Sequence, residues 1–365
     1  MKKILILGDA NSYHILKWVS GIVTKGYTVK IFSLTPYSGN LFTDKGIDIY
    51  SSSFGGKRKF LYPFAMRELW KLIKEFKPDI IHAHYASSYG LLGALSRFHP
   101  FILSVWGSDV FDFPKISPLN KWIFKFNLRK ADKICSTSHI MKEEIKQYTE
   151  KDIEIIPFGV DLNVFKPLSV HHIFKESDIV VGTVKALEKK YGIEYLIDAF
   201  SILRQSLKEY SVKLLIVGKG SLETKLKAKV KNLGLEDETV FTGFIQPAEI
   251  PLYQNMLTIS VFPSIDNSES FGVAAVEAMA CEKPVIVSDV GGLPEVVENN
   301  VTGLIVPPAN AEKMAEAIEI LIRDEQLRIK LGRQGRQRVE KLYNWEGNLN
   351  SMIQIYEELM AKRQI

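Results

Sequence analysis

DIVVGTVKALEKKYGIEYLIDAFSILRQSLKEYSVKLLIVGKG, residues 178–220, decides the architecture. IVVGTV and VKLLIV are short apolar runs rich in β-branched residues, as buried strands are. Between them GIEYLIDAFSILRQSL returns its apolar residues at three- and four-residue steps, the mark of an amphipathic helix. Strand, helix and strand in that order make the two strands parallel neighbours joined by a crossover. GKG ends the stretch directly behind the second strand. There Gly218 and Gly220 would let the backbone approach a nucleotide, with Lys219 facing solvent.

The same alternation runs outward in both directions. Downstream come the helix TKLKAKVKNLG, the strands ETVFTGF, TISVFPS, KPVIVSD and TGLIVPP, and long helices after residue 310. Upstream the strands are KKILILG, YTVKIFSL, PDIIHAHY, FILSVWGSDV, ADKICSTS and IEIIPFG, with amphipathic helices such as PFAMRELWKLIKEF among them. The fold class is α/β, with two Rossmann-like domains facing each other across a cleft and a hinge around residues 158–170. The expected domains are 1–164 and 165–349, with a final helix from about residue 350 packing back on the first. A chain of 365 residues exceeds the size at which one core keeps growing, in keeping with two domains.

Composition narrows the function classes. At 46% hydrophobic and 24% charged residues the chain is an ordinary globular protein. Two distant cysteines, Cys135 and Cys281, give neither a disulfide framework nor a metal cluster and point to a reducing compartment. The apolar run in MKKILILGDA is too short for a signal peptide or a membrane span, so a cytoplasmic protein is expected. The net charge of +5 is uneven: residues 1–168 hold 24 Lys and Arg against 15 Asp and Glu. Lys57, Arg58 and Lys59 form one basic cluster, and Lys121 to Lys133 form another that also carries Trp122, Phe124 and Phe126. Such a surface either sits on anionic lipid headgroups or is a solvated face over a packed helix. No module or dense basic stripe indicates nucleic acid.

Gly8 follows the first strand, but GDANSYHI lacks the GxGxxG of a dinucleotide site. No GxxxxGK[ST], GxSxG or HExxH occurs, which excludes the usual P-loop, hydrolase-elbow and zincin readings. His84, Trp106 and Asp109 fall beyond the carboxyl ends of strands, where ligands bind in open α/β sheets. His82 and His84 are expected on opposite faces of their strand, which disfavours two ligands of one metal; His82 is then the buried residue and His84 the cleft candidate. His14, near the start of the first helix, either donates to a phosphate or caps a loop.

SESFGVAAVEAMA, residues 268–280, holds the most specific signal. Its helix carries Glu269 at the mouth and Glu277 about two turns inside. One reading is a cap and a solvent-facing carboxylate. The other is a carboxylate pair gripping the hydroxyls of a sugar-containing ligand whose phosphates meet the helix N-terminus.

Taken together, VGTVKALEKKYGIEYLIDAF, LLIVGKG, ESFG with a glutamate five residues on, EAMACEKPVIVSDVGGLPEVV and TGLIVPP resemble the retaining GT-B glycosyltransferases of family 4, along nearly the whole chain. The resemblance implies a GT-B fold and transfer of a hexose or N-acetylhexosamine from a nucleotide diphosphate, with retention at the anomeric carbon. It implies that Glu269 contacts the donor sugar, that Glu277 holds the ribose, and that Phe271 and Gly272 present backbone donors near the diphosphate. Gly218, Gly220, Phe244 and Ser270 complete the donor side. Lys185 and Lys190 match the spacing of the family's cationic pair, Lys185 standing where an arginine is usual and Lys189 being an adjacent competitor. With Glu269 they form the implied catalytic set. Gly8, His14, His84, Trp106 and Asp109 form the acceptor side.

Trp106 departs from the family, standing where many relatives have a histidine. Tryptophan shuttles no proton but can stack on a sugar. Asp109 matches an aspartate of some relatives and would orient a hydroxyl. Ser270 and Cys281 replace glycines with small residues. The implied partners are a nucleotide sugar, with uridine favoured over guanosine, and a glycan or lipid-linked acceptor; an anionic membrane surface is the partner that the basic, aromatic segments add if they are not a solvated face. No cofactor and no metal are implied. Competing readings are another GT-B enzyme (an epimerase or phosphorylase) and a nucleotide-sugar sensor without turnover.

Overall fold

Every strand pair in the two sheets of this protein is parallel, as the strand–helix alternation requires. The structure is a computed structural model that describes residues 1–39, 47–54, 62–171 and 173–363. Two compact units divide the chain: residues 1–158 with 346–365, and residues 159–345. The basic cluster Lys57, Arg58 and Lys59 lies outside the described residues.

The first unit runs β1 (Lys3–Leu7), α1 (Tyr13–Thr24), β2 (Thr28–Ser33), β3 (Asp48–Ser51), α2 (Tyr62–Phe76), β4 (Ile80–His84), α3 (Ser88–Ser96) and β5 (Phe101–Ser104). It continues with α4 (Ser108–Phe111), α5 (Phe113–Ile116), α6 (Pro118–Lys130), β6 (Lys133–Ser136), α7 (His139–Lys146) and β7 (Ile153–Ile155). Sheet order is β3-β2-β1-β4-β5-β6-β7. The order reverses direction between β1 and β4, which is the topological switch point. β1 and β4 are completely buried beyond Lys3, because helices cover both faces of a parallel sheet.

The second unit runs β8 (Ile179–Val184), α8 (Ile193–Ser206), β9 (Val212–Val217), α9 (Glu223–Asn232), β10 (Thr239–Gly243), α10 (Ile250–Met256) and β11 (Ile259–Phe262). Then follow α11 (Val273–Ala280), β12 (Val285–Ser288), α12 (Leu293–Val296), β13 (Leu304–Val306), α13 (Ala311–Arg323) and α14 (Glu325–Leu342). Order β10-β9-β8-β11-β12-β13 puts its switch point between β8 and β11. Leu196, Ile197, Phe200 and Leu203 of α8 pack with Met314, Ile318 and Leu321 of α13 in one apolar core. Asn310 and Asp324 accept from the amides of Lys313 and Leu327, so side chains cap α13 and α14 at their starts.

The last helix, α15 (Trp345–Arg363), belongs to the first unit from residue 346 onward. It buries Tyr356 completely, with the hydroxyl 2.7 Å from His82 Nδ1. The division after residue 158 lies earlier than the expected 164. The reason is local: Val160 donates to the Tyr343 carbonyl and accepts from Trp345, which ties residues 160–165 into the second unit.

Candidate active site

Lys185 leaves the end of β8, and Glu269 lies in the loop between β11 and α11. These are the two strands flanking the switch point of the second sheet. Lys185 Nζ and Glu269 Oε2 stand 2.7 Å apart, with side chains only 15% and 10% exposed. Burial opposes the Lys185 charge, but Glu269 outweighs it, with help from Tyr191 and Glu277, and the ammonium is held above its usual range. Lys185 is therefore charged at neutral pH and points into a carboxylate-lined corner.

Tyr191 joins the two candidate cations. Lys185 Nζ lies 4.4 Å and Lys190 Nζ 5.0 Å from its ring centroid, within cation–π range. Lys189 is exposed and has no such contact among the described residues. The sequence reading missed Tyr191; its position next to Lys190 was the available signal.

Two glycine pairs build the corner, for reasons the sequence did not reveal. A Cβ on Gly218 would lie 2.0 Å from the Lys185 carbonyl, and one on Gly220 would lie 2.4 Å from that of Leu187. These glycines were read as room for a nucleotide; their side-chain directions are filled by the chain's own 185–187 loop. Gly291 takes φ +54°, and a Cβ there would meet the Glu269 carbonyl at 2.2 Å. The Gly292 amide donates to that same carbonyl at 2.8 Å. GG at 291–292 thus clamps the backbone that carries Glu269.

Gly272 is the N-cap of α11 at φ +88° and offers the helix no side-chain cap. The first amides of a helix have no intrahelical partner, so this end favours an anion. Phe271 and Ser270 are buried, and the Phe271 ring stacks edge-on to Tyr343 at 5.3 Å. Glu277, half-buried on α11, acts on the Lys185 charge together with Glu269. Phe244 stands 64% exposed just after β10, next to the Gly218–Gly243 bridge. Cys281 is buried with its thiol pushed up to about 12 by desolvation, which makes it unreactive.

In the first unit the remaining candidates gather at the carboxyl end of the sheet. Trp106 lies 5.0 Å from His84, 5.9 Å from His14 and 5.4 Å from Phe158 between ring centroids. Gly8 closes β1 beside Ile15. The histidine reading needs correction: His82 and His84 lie on the same face, with ring centroids 4.1 Å apart. Residues two apart in a strand share a face because side chains alternate with period two. No group of three potential metal ligands occurs among the described residues.

His82 is satisfied by Tyr356 and by Ser104 Oγ at 2.7 Å each. His84 is equally buried, with neither ring nitrogen hydrogen-bonded among the described residues, and burial lowers its pKa to about 3. It is a neutral imidazole under Trp106. Asp109 also departs from expectation. It is fully buried and accepts from the amides of Ala86, Trp106 and Gly107 at 2.6, 3.0 and 2.8 Å. Its carboxylate is committed to folding the Trp106 loop, not to orienting a ligand hydroxyl.

Two parallel Rossmann-like sheets, with charged groups and a helix N-terminus at the switch point of the second, are the GT-B glycosyltransferase architecture. Sucrose-phosphate synthase from Thermosynechococcus elongatus superposes with a TM-score of 0.85 at 22% identity, over 99% of this chain and 100% of that one. HepE from Anabaena, solved with UDP-glucose, gives 0.81 at 19% identity, over 98% and 100%. Residues 166–338 match the family described as glycosyl transferases group 1, and residues 3–138 match glycosyl transferase 4-like. An uncharacterized glycosyltransferase of Methanocaldococcus jannaschii is 32% identical over 285 residues, 77% of this chain and 76% of its own. N-acetyl-alpha-D-glucosaminyl L-malate synthase of Bacillus anthracis is 25% identical over 295 residues, 77% and 75%. The chain belongs to the glycosyl transferases group 1 family and is a glycosyltransferase.

Proposed function

We propose that this enzyme moves a hexose or N-acetylhexosamine from a uridine diphosphate sugar to an acceptor hydroxyl, with retention at the anomeric carbon. Guanosine is the second choice of base. The observation that carries this reading is the buried Lys185–Glu269 pair at the β8/β11 switch point, beside the N-terminus of α11. Glu269 accepts from donor-sugar hydroxyls, and Glu277 accepts from the ribose. Lys185, Lys190 and the first amides of α11 meet the diphosphate, whose negative charge grows as the bond from the anomeric carbon to phosphate oxygen breaks. The acceptor oxygen forms its bond to that carbon on the same face, and its proton passes to the departing phosphate. Two lysines supply the charge that a divalent metal would otherwise provide. Trp106 offers a ring face for a sugar on the acceptor side.

The acceptor in this reading is a glycan or lipid-linked sugar in cell-surface polysaccharide or glycolipid synthesis, reached from the cytoplasmic side. HepE, with its UDP-glucose, and the Bacillus anthracis synthase, named for an N-acetylglucosaminyl product, support the choice of donor class. Incubation with labelled UDP-glucose, UDP-N-acetylglucosamine and GDP-mannose, with and without a lipid extract and with EDTA present, tests the reading. Label transferred from a uridine donor despite EDTA is the expected result. Donor binding without transfer would make the protein a sensor, and phosphate-dependent cleavage would make it a phosphorylase.

A further inference from the structure

Helix α6 has two apolar faces where a surface helix needs only one. Ser117 caps it, accepting from the Asn120 amide at 3.2 Å, and Pro118 opens its first turn. The inner face, Phe124, Asn127 and Leu128, is buried, and Asn127 Nδ2 donates to the Ala86 carbonyl at 2.7 Å. Leu119 and Trp122 lie three residues apart on the outer face, and Phe126, four residues further on, is partly buried against the core of the first unit at the edge of that face. Leu119 is 63% exposed, Trp122 61%, and Ile116, just before the helix, 70%. Trp122 and Phe126 stack at 5.6 Å and line a groove of ≈ 710 Å³ against residues 146–151.

The cations around this stripe differ from their neighbours. Lys115 pairs with Glu144 at 3.0 Å and Lys146 with Glu143 at 2.9 Å. Lys121, Lys125, Arg129 and Lys130 form no salt bridge among the described residues. Arg129 and Lys130 each hold their charge 5.9 Å from the Phe126 ring centroid, beside the stripe. Glu150 is the acidic side chain lining the groove. An exposed aromatic-aliphatic stripe flanked by unpaired cations matches a bilayer interface, where rings sit at headgroup depth and cations meet lipid phosphates.

We infer that the outer face of α6, with Ile116 at its entrance, docks this protein on an anionic lipid bilayer. A second copy is a poorer occupant, because a two-fold contact would set the four unpaired cations against their own images. The inference deepens the proposed function, resting on it for the lipid-linked nature of the acceptor. It also corrects the sequence reading of this segment. Phe124 points into the core, and Ile116 and Leu119 take its place on the surface.

Vesicle co-sedimentation tests it. The intact chain is expected to bind mixed phosphatidylcholine–phosphatidylglycerol vesicles at low salt, to ignore pure phosphatidylcholine, and to dissociate at about 1 M salt. Lys125→Gln with Arg129→Gln should weaken binding about 30-fold, the equivalent of ~1 kcal/mol for each cation. Leu119→Ser with Trp122→Ser should weaken it at least about tenfold, from the lost apolar burial. Circular dichroism and UDP titration report whether each variant is folded and still takes nucleotide. Retained UDP affinity with lost vesicle binding supports docking. UDP binding absent from every protein, with vesicle binding intact, would overturn the donor reading and leave the docking surface standing. No vesicle binding by the intact chain, or equal binding by the variants, overturns the inference. So does a dimer dispersed by Trp122→Ser in a protein that does not bind vesicles.

Discussion

Replacing Lys185 with methionine removes the cation from a corner where Glu269 is 10% exposed. Ser264 Oγ, which donates to Glu269 Oε2 at 3.4 Å, remains beside it. Breaking a buried pair from one side strands the other charge, at about 3–5 kcal/mol; the lower end, ~3, suits a corner that still touches solvent. Glu269→Gln should lose less, about 2 kcal/mol, because Glu277 and Tyr191 still act on Lys185. The double substitution leaves no charge stranded, and its loss is expected near ~2 kcal/mol, a coupling of about 3 kcal/mol. Native-state hydrogen exchange of peptides spanning β8 and β11 reads these values within the second unit, without assuming that both units unfold together. The same Lys185→Met protein should lose UDP affinity by calorimetry. Strictly additive losses in the cycle would refute the claim that these two side chains hold one another.

Glu277→Ala should weaken UDP binding by about 1.5–3 kcal/mol through lost ribose hydrogen bonds to a charged acceptor. Unchanged calorimetric affinity in the folded variant would remove Glu277 from the ribose site. Gly291→Ala should abolish transfer while leaving the first unit folded, because a Cβ there meets the Glu269 carbonyl at 2.2 Å on a backbone with φ +54°. Wild-type turnover by this variant would show that the clamp is dispensable. His84 has a folded pKa of about 3 against 6.5 for the free side chain, so the unfolded chain binds the extra proton. Stability is therefore lost as pH falls from 6.5 towards 3, by ~2.7 kcal/mol at pH ~4.5 from this residue alone. Asp109, raised by burial, works in the opposite sense but is common to wild type and His84→Phe. Urea unfolding followed by tryptophan fluorescence should show wild type losing that much more than His84→Phe between neutral pH and pH ~4.5. Equal losses would mean that His84 is not held neutral.

The sequence by itself determined most of the strands and the strand–helix alternation that orders them. Apolar runs a few residues long and helices of period 3.6 are local signals, and alternation leaves a parallel sheet as the way to bury both faces. The glutamates at 269 and 277 stood out as a pair because spacing along one loop and helix fixes geometry over a few residues, whereas the lysines at 185 and 190 were reached only through the resemblance to the family. β3 does not stand out in the sequence because an edge strand of one exposed and three half-buried residues has no apolar pattern. What only the tertiary structure decided involves residues far apart in the chain. Lys185 meets Glu269 because the switch point brings the ends of β8 and β11 together. Gly218 and Gly291 are demanded by backbone from other loops, and Asp109 is consumed by amides that its own short turn and the β4–α3 loop direct at it. Periodicity can say that α6 has an apolar side; only packing decides that Phe124 faces inward and leaves Leu119 and Trp122 at the surface.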